Sequence, residues 1–185
     1  MGKIILGGII GAIVVFAWMF VSYMVLPWHE IGVHQFKNEA MVAKTIQQNT
    51  IESGVYMYPH CNSAETEEAC QDLMTKGPVI YAQVRKNGID PMSPHLYIVS
   101  FIEGLIGAAF VSFLLVNLRS GVGYLKRVYV SGLFGLVAGI LGSVWMWNWF
   151  GAGGDYTLVM ILDGLIGYLL AGIVIAGFVK PKPAI

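Results

Sequence analysis

Apolar residues fill positions 4–26 with only Ser22 and Tyr23 as mild polar interruptions, and three more long apolar stretches follow near residues 96–117, 125–150 and 156–179. A helix needs about 20 residues to cross the hydrocarbon layer, so each stretch is predicted to span it. A secretory signal has a hydrophobic region of about 7–15 residues and a small-residue cleavage site. The first run is longer, and Val25-Leu-Pro-Trp offers no such site, so it reads as an uncleaved helix. The polar stretch between the first two runs keeps an apolar rhythm of its own. Phe36, Ala40, Ala43 and Ile46 recur at helical spacing between His34 and about Asn49. Residues 53–58 and 78–85 read as strands, the second with Ile80, Ala82 and Val84 on one face, and a short helix lies between them.

Composition moves this pattern into a membrane. The chain is 56% hydrophobic and 12% charged, with a mean hydropathy of +0.67, whereas a soluble domain carries about a quarter charged residues. The 23 glycines suit close helix contacts in lipid. A formal net charge of zero gives no attraction to nucleic acid. The predicted fold class is an all-α membrane bundle of four transmembrane helices, built as two same-orientation hairpins, with a small α+β extracytoplasmic insertion between helices one and two. The expected organisation is helix one at 1–26, the insertion at 27–95, helix two at 96–117, a cytoplasmic loop at 118–127, helices three and four at 125–150 and 156–179, and a tail at 180–185.

Basic residues set the orientation. Lys3 precedes helix one; Arg119, Lys126 and Arg127 lie between helices two and three; Lys180 and Lys182 follow helix four. The turn between helices three and four carries Asp155 and no Lys or Arg. By the positive-inside rule both termini are cytoplasmic and residues 27–95 lie outside. The five basic residues of that stretch weigh little against this, because loops beyond roughly 60 residues escape the rule. Trp28, Trp147, Trp149 and Tyr156 collect at the predicted outer boundary, where amphipathic rings belong. Four helices with an outer segment after the first resembles the plan of many small bacterial inner-membrane proteins, so the expected location is that membrane, with residues 27–95 periplasmic.

Cys61 and Cys70 both fall in the outer stretch, where an oxidising compartment favours one disulfide. The start of the intervening helix decides whether it can close. With Asn62 as cap and Glu65 three residues later, Cys70 would sit about 12 Å along the axis from the cap, beyond the roughly 7 Å that a bridge allows between Cα atoms. With Thr66 as cap, Glu67 and Glu68 suit the first turn, residues 62–65 can fold back, and the bridge closes. The Thr66 start is the expectation. Lys76, Gly77 and Pro78 end that helix.

The chain also repeats itself. Phe101-Ile-Glu-Gly-Leu-Ile-Gly returns as Ile161-Leu-Asp-Gly-Leu-Ile-Gly, and Trp18-Met-Phe in helix one echoes Trp145-Met-Trp in helix three, with Gly8 and Gly135 in register. Two duplicated hairpins imply a pseudo-twofold axis along the membrane normal. Each copy places an acid, Glu103 or Asp163, about 12 Å below the same boundary, eight residues after His95 or Asp155. Carboxyls there are expensive and call for partners. No Lys, Arg or His lies in the predicted membrane core, so Ser143, Trp145, Asn148 and Trp18 are the expected neighbours. The flanking Gly104, Gly107, Gly164 and Gly167 are predicted helix-packing positions.

Other chemistry is thinly signalled. His29, His34, His60 and His95 are metal candidates only by sharing the outer side, since their spacing fits no zinc pattern, and no cofactor is expected. Ser53, Cys61 and Ser63 lack a nucleophile-elbow setting, and no phosphate-cradling glycine loop precedes a soluble helix. Two intramembrane acids can activate water, but helix two offers no Asp to match Asp163. The expected function is therefore a non-catalytic accessory or assembly subunit, engaging a partner membrane protein or a second copy through its outer segment and glycine faces. The alternative is a small proton- or ion-coupled transporter using Glu103 and Asp163.

Overall fold

The computed structural model describes residues 2–61 and 66–183. Its elements in chain order are α1 (Gly2–Met24), a 3-10 turn (Pro27–Glu30), α2 (Glu39–Asn49), β1 (Gly54–Tyr58), α3 (Glu67–Lys76), β2 (Ile80–Val84), α4 (Pro94–Val116), α5 (Tyr124–Phe150) and α6 (Gly154–Phe178). α1, α4, α5 and α6 are long and apolar enough to cross a bilayer, which makes the chain a multi-pass membrane protein. Ser63 and the alternative helix start at Asn62 with Glu65 lie outside the described residues, as do the last two residues of the tail.

Helix ends follow local chemistry. Pro27 cannot donate to the preceding turn, so α1 stops at Met24 and the chain bends into the 3-10 turn with Pro27 at its first position. α2 begins at Glu39 rather than near His34. The Asn38 side chain accepts from Met41 N at 3.0 Å and caps the helix there, leaving Phe36 outside it. α3 is capped as expected by Thr66, whose Oγ1 accepts from Ala69 N at 3.3 Å. Cys61 and Cys70 are bridged across a Cα separation of 5.7 Å. α5 ends at Gly151, which takes the left-handed conformation (φ 74°) that a side chain would disfavour.

In the bundle, α1 packs on α4 and on α6, and α5 packs on α6. α4 meets α5 chiefly through Phe110 and Phe134, with ring centroids 5.6 Å apart. α5 and α6 approach closely at Gly135 and Gly164: a Cβ added to Gly135 would lie 2.0 Å from the Gly164 carbonyl oxygen. Only glycine permits that spacing. The dry core of Ala108, Val111, Leu115, Ala171, Ile175 and Val179 fills the half of the bundle away from the segment that links α1 to α4. At that end Arg127 is buried, and its guanidinium donates to the carbonyls of Val122 and Ala176, tying the start of α5 to the last turns of α6.

The linking segment forms its predicted elements without forming a core. β1 and β2 pair antiparallel with Tyr56 opposite Ala82, and Lys86 Nζ donates to the carbonyls of Thr50 and Ile51 at one end. No residue of α2, β1, α3 or β2 is buried. The strand face of Ile80, Ala82 and Val84 is not the one that reaches the bundle. Tyr81, from the opposite face, packs on Phe150 with ring centroids 4.3 Å apart. A second contact lies at Gly32, where an added Cβ would fall 2.5–2.8 Å from Tyr156 Cβ, N and Cα, so the chain leaving the 3-10 turn is pressed against the first turn of α6.

Candidate functional site

The most concentrated polar chemistry in the bundle surrounds Asp163, on α6. Trp18 and Ser22 stand one turn apart on α1 and therefore share a face. That face meets α6. Trp18 Nε1 donates to Asp163 Oδ1 at 3.1 Å, and Ser22 Oγ donates to the same oxygen at 2.5 Å. The turn forced at Pro27 brings the next residues back over this pair. Trp28 Nε1 donates to Ser22 Oγ at 2.9 Å, and His29 Nε2 lies 2.9 Å from both Ser22 Oγ and Asp163 Oδ2. Tyr23 stacks on the His29 ring at 3.8 Å between centroids. Asp163 is 3% exposed and Ser22 is fully buried.

The hydrogen-bond inventory is specific. A serine has one proton to give, and Ser22 gives it to Asp163. His29 Nε2 faces both Ser22 Oγ and Asp163 Oδ2, while its buried Nδ1 has no hydrogen-bond partner among the described residues. Indole and hydroxyl donate to Asp163 Oδ1, the complement a carboxylate needs when removed from water, while the imidazole lies 2.9 Å from Oδ2 without a hydrogen bond to it among the described residues. This is not a hydrolytic triad. Asp163 reaches the same ring nitrogen as Ser22 and binds Ser22 directly, and the Ser22 hydroxyl faces no open space. Chemically the arrangement is a clasp that ties α1, the 3-10 turn and α6 at one point.

The glycines beside it have separate duties. Gly167, one turn from Asp163, leaves room for the Trp18 indole, whose Cδ1 would lie 3.0 Å from an added Cβ. Gly164 faces Gly135 and Gly139 of α5. On α4, Gly104 faces Ala12 of α1, and Gly107 accommodates the Tyr168 hydroxyl of α6.

Glu103 has a different environment from Asp163. It is exposed on α4, and among the described residues it makes no hydrogen bond or ion pair. Of the four expected neighbours, Trp18 alone is a ligand of Asp163. Ser143 donates instead to Gly139 O in its own helix, while Trp145 and Asn148 are exposed. The expectation that neither acid has a basic neighbour in this chain is overturned for Asp163 by His29. Its sequence position marks it as a boundary residue, and only the fold-back at Pro27 lowers its ring to the carboxylate. Ser22 and Tyr23, read as mild interruptions of an apolar run, are the other members that the sequence did not single out. His34, His60 and His95 are exposed. Among the described residues no three His, Cys, Asp or Glu side chains gather as metal ligands.

A scan against protein-family models found no match to this chain, and searches of curated proteins and of solved structures found none either.

Proposed function

We propose that this chain is a non-catalytic accessory or assembly subunit of a bacterial inner-membrane complex, with both termini cytoplasmic and residues 27–95 on the outer side, where they engage a partner. The observation that carries this reading is the open state of the linking segment: α2, β1, α3 and β2 bury no residue of their own. Met41 is 64% exposed and Ile51 92% exposed, with Val55, Met57, Ile80 and Met92 also open. Apolar surface held in shape by a disulfide and a capped helix, yet left uncovered, is the signature of an interaction surface.

Two further points support the architecture behind it. Gly104 packs on Ala12 and Gly164 on Gly139, and these contacts correspond when residue 101 is set against 161 and Gly8 against Gly135. That correspondence favours duplicated, same-orientation hairpins. At Asp163, Trp18 and Ser22 of α1 both donate to one buried oxygen, which favours a structural clasp over the ion-coupled transporter reading.

The test is purification in mild detergent followed by native mass spectrometry. A second polypeptide in fixed stoichiometry is expected, and it should be lost when Met41 and Ile51 are both replaced by Glu. A particle of this chain alone, with Met41, Ile51 and Met57 open to hydroxyl-radical labelling, would overturn the reading.

A further inference from the structure

We propose that the α4 face around Glu103 docks a transmembrane helix of the partner, and that this helix carries a Lys or Arg at the level of Glu103. The inference rests on the accessory-subunit reading and specifies the chemistry of its partner. Glu103 lies nine residues after Pro94, about 13 Å along α4. Beside it on the exposed side lie the apolar Val99, Ile102, Ile106 (67% exposed) and Phe110, together with the exposed Ser100 one turn before. A carboxyl facing that environment without a partner is costly, and charged groups in membranes are paired or face an interior. Asp163, in the matching position of α6, is held by two donors on Oδ1, with the His29 ring 2.9 Å from Oδ2. Glu103 has none from its own chain. The Tyr168 hydroxyl, seated against Gly107 one turn further on, makes no hydrogen bond to it among the described residues.

The choice of occupant follows from charge and reach. A second copy in the same orientation brings no cation to this depth. Among the basic residues in the spanning helices, Lys3 lies at the start of α1 and Lys126 and Arg127 at the start of α5, at the opposite end of the bundle. Two copies meeting here would oppose like acids. A lipid amine stays at the surface, and a glutamate side chain is too short to climb to it. A cationic side chain on a neighbouring helix meets both demands, because it pairs the charge at depth while its helix covers the isoleucines.

The experiment uses the full chain, fluorescently labelled and reconstituted in phosphatidylcholine vesicles, with Leu/Ala transmembrane peptides bearing an acceptor dye. One peptide carries a single Lys at the depth of Glu103, and the control carries Leu there. Energy transfer should show the Lys peptide associating about tenfold more tightly than the control. Glu103→Gln should erase the difference, and Glu103→Lys should restore preference when the peptide carries Glu in place of Lys. Equal association of the two peptides, or a Lys preference that survives Glu103→Gln, would overturn the proposal. In the native-mass experiment, a companion retained equally by Glu103→Gln and the unaltered chain across a dilution series would overturn this inference while leaving the accessory-subunit reading in place.

Discussion

Replacing Ser22 with Ala removes one oxygen from the centre of the Asp163 clasp and disturbs three partners at once. Asp163 Oδ1 loses its shortest donor, at 2.5 Å, and keeps Trp18. The Trp28 indole N–H loses its acceptor. The His29 ring loses its contact with Ser22 Oγ and keeps only its approach to Asp163 Oδ2. A hydrogen bond to a charged group contributes about 1.5–3 kcal/mol, and an orphaned buried donor costs about 1–3 kcal/mol. Measured hydrogen bonds between membrane helices are weaker, with a mean of about 0.6 and a maximum of about 1.7 kcal/mol, because the unfolded chain in lipid also finds partners. Taking the upper part of that range for the carboxylate bond and a similar amount for the stranded indole gives a loss of about 2–3 kcal/mol. Unfolding in mixed micelles by increasing detergent denaturant, followed by the fluorescence of Trp18 and Trp28, measures it directly. The same substitution in an Asp163→Leu background separates packing from the bond. There Ser22→Ala should cost at least about 1 kcal/mol less. A loss below about 0.5 kcal/mol, or an equal loss in both backgrounds, would refute the clasp.

Four further outcomes follow from the fold. Gly135→Ala places a methyl 2.0 Å from the Gly164 carbonyl oxygen, so α5 and α6 must part, with an expected loss of about 2 kcal/mol or more in the same assay. Gly142→Ala meets nothing within 4 Å and should not destabilise α5, with an expected gain of up to about 1 kcal/mol. Thiol titration of the native protein should find no free cysteine, rising to two after reduction. Thr66→Ala should loosen the first turn of α3 by about 1 kcal/mol, read as faster amide exchange at Ala69.

Much of the frame is legible in the sequence because its cause is local. Length and apolarity mark four spanning helices, and Thr66 with two following glutamates fixes the start of α3 closely enough to foresee the Cys61–Cys70 bridge. The repeat points to Asp163 and Glu103 as the two acids worth examining. What surrounds them depends on contacts far apart in the chain. Trp18 and Ser22 reach Asp163 across more than 140 residues, and a period-based reading counts Ser22 as a blemish in an apolar run. His29 joins only because Pro27 stops α1 and turns the chain back. The difference between the two acids is likewise invisible in matched heptapeptides. It arises because α1 lies against α6 over its length, while α4 and α5 are held apart by Phe110 and Phe134. The linking segment shows the opposite limit. Its periodic apolar positions predict the elements, but periodicity does not reveal that those faces remain uncovered.

Asp163 is closed in by its own chain, whereas Glu103 lies open on α4. Dicyclohexylcarbodiimide partitions into apolar phases and couples to accessible carboxyl groups, so labelling of the purified chain with site-resolved mass spectrometry compares the two directly. The account predicts that Glu103 reacts about tenfold faster than Asp163 or more, and that Ser22→Ala narrows the gap by exposing Asp163. Equal labelling of the two acids, or faster labelling of Asp163 in the unaltered protein, would contradict it.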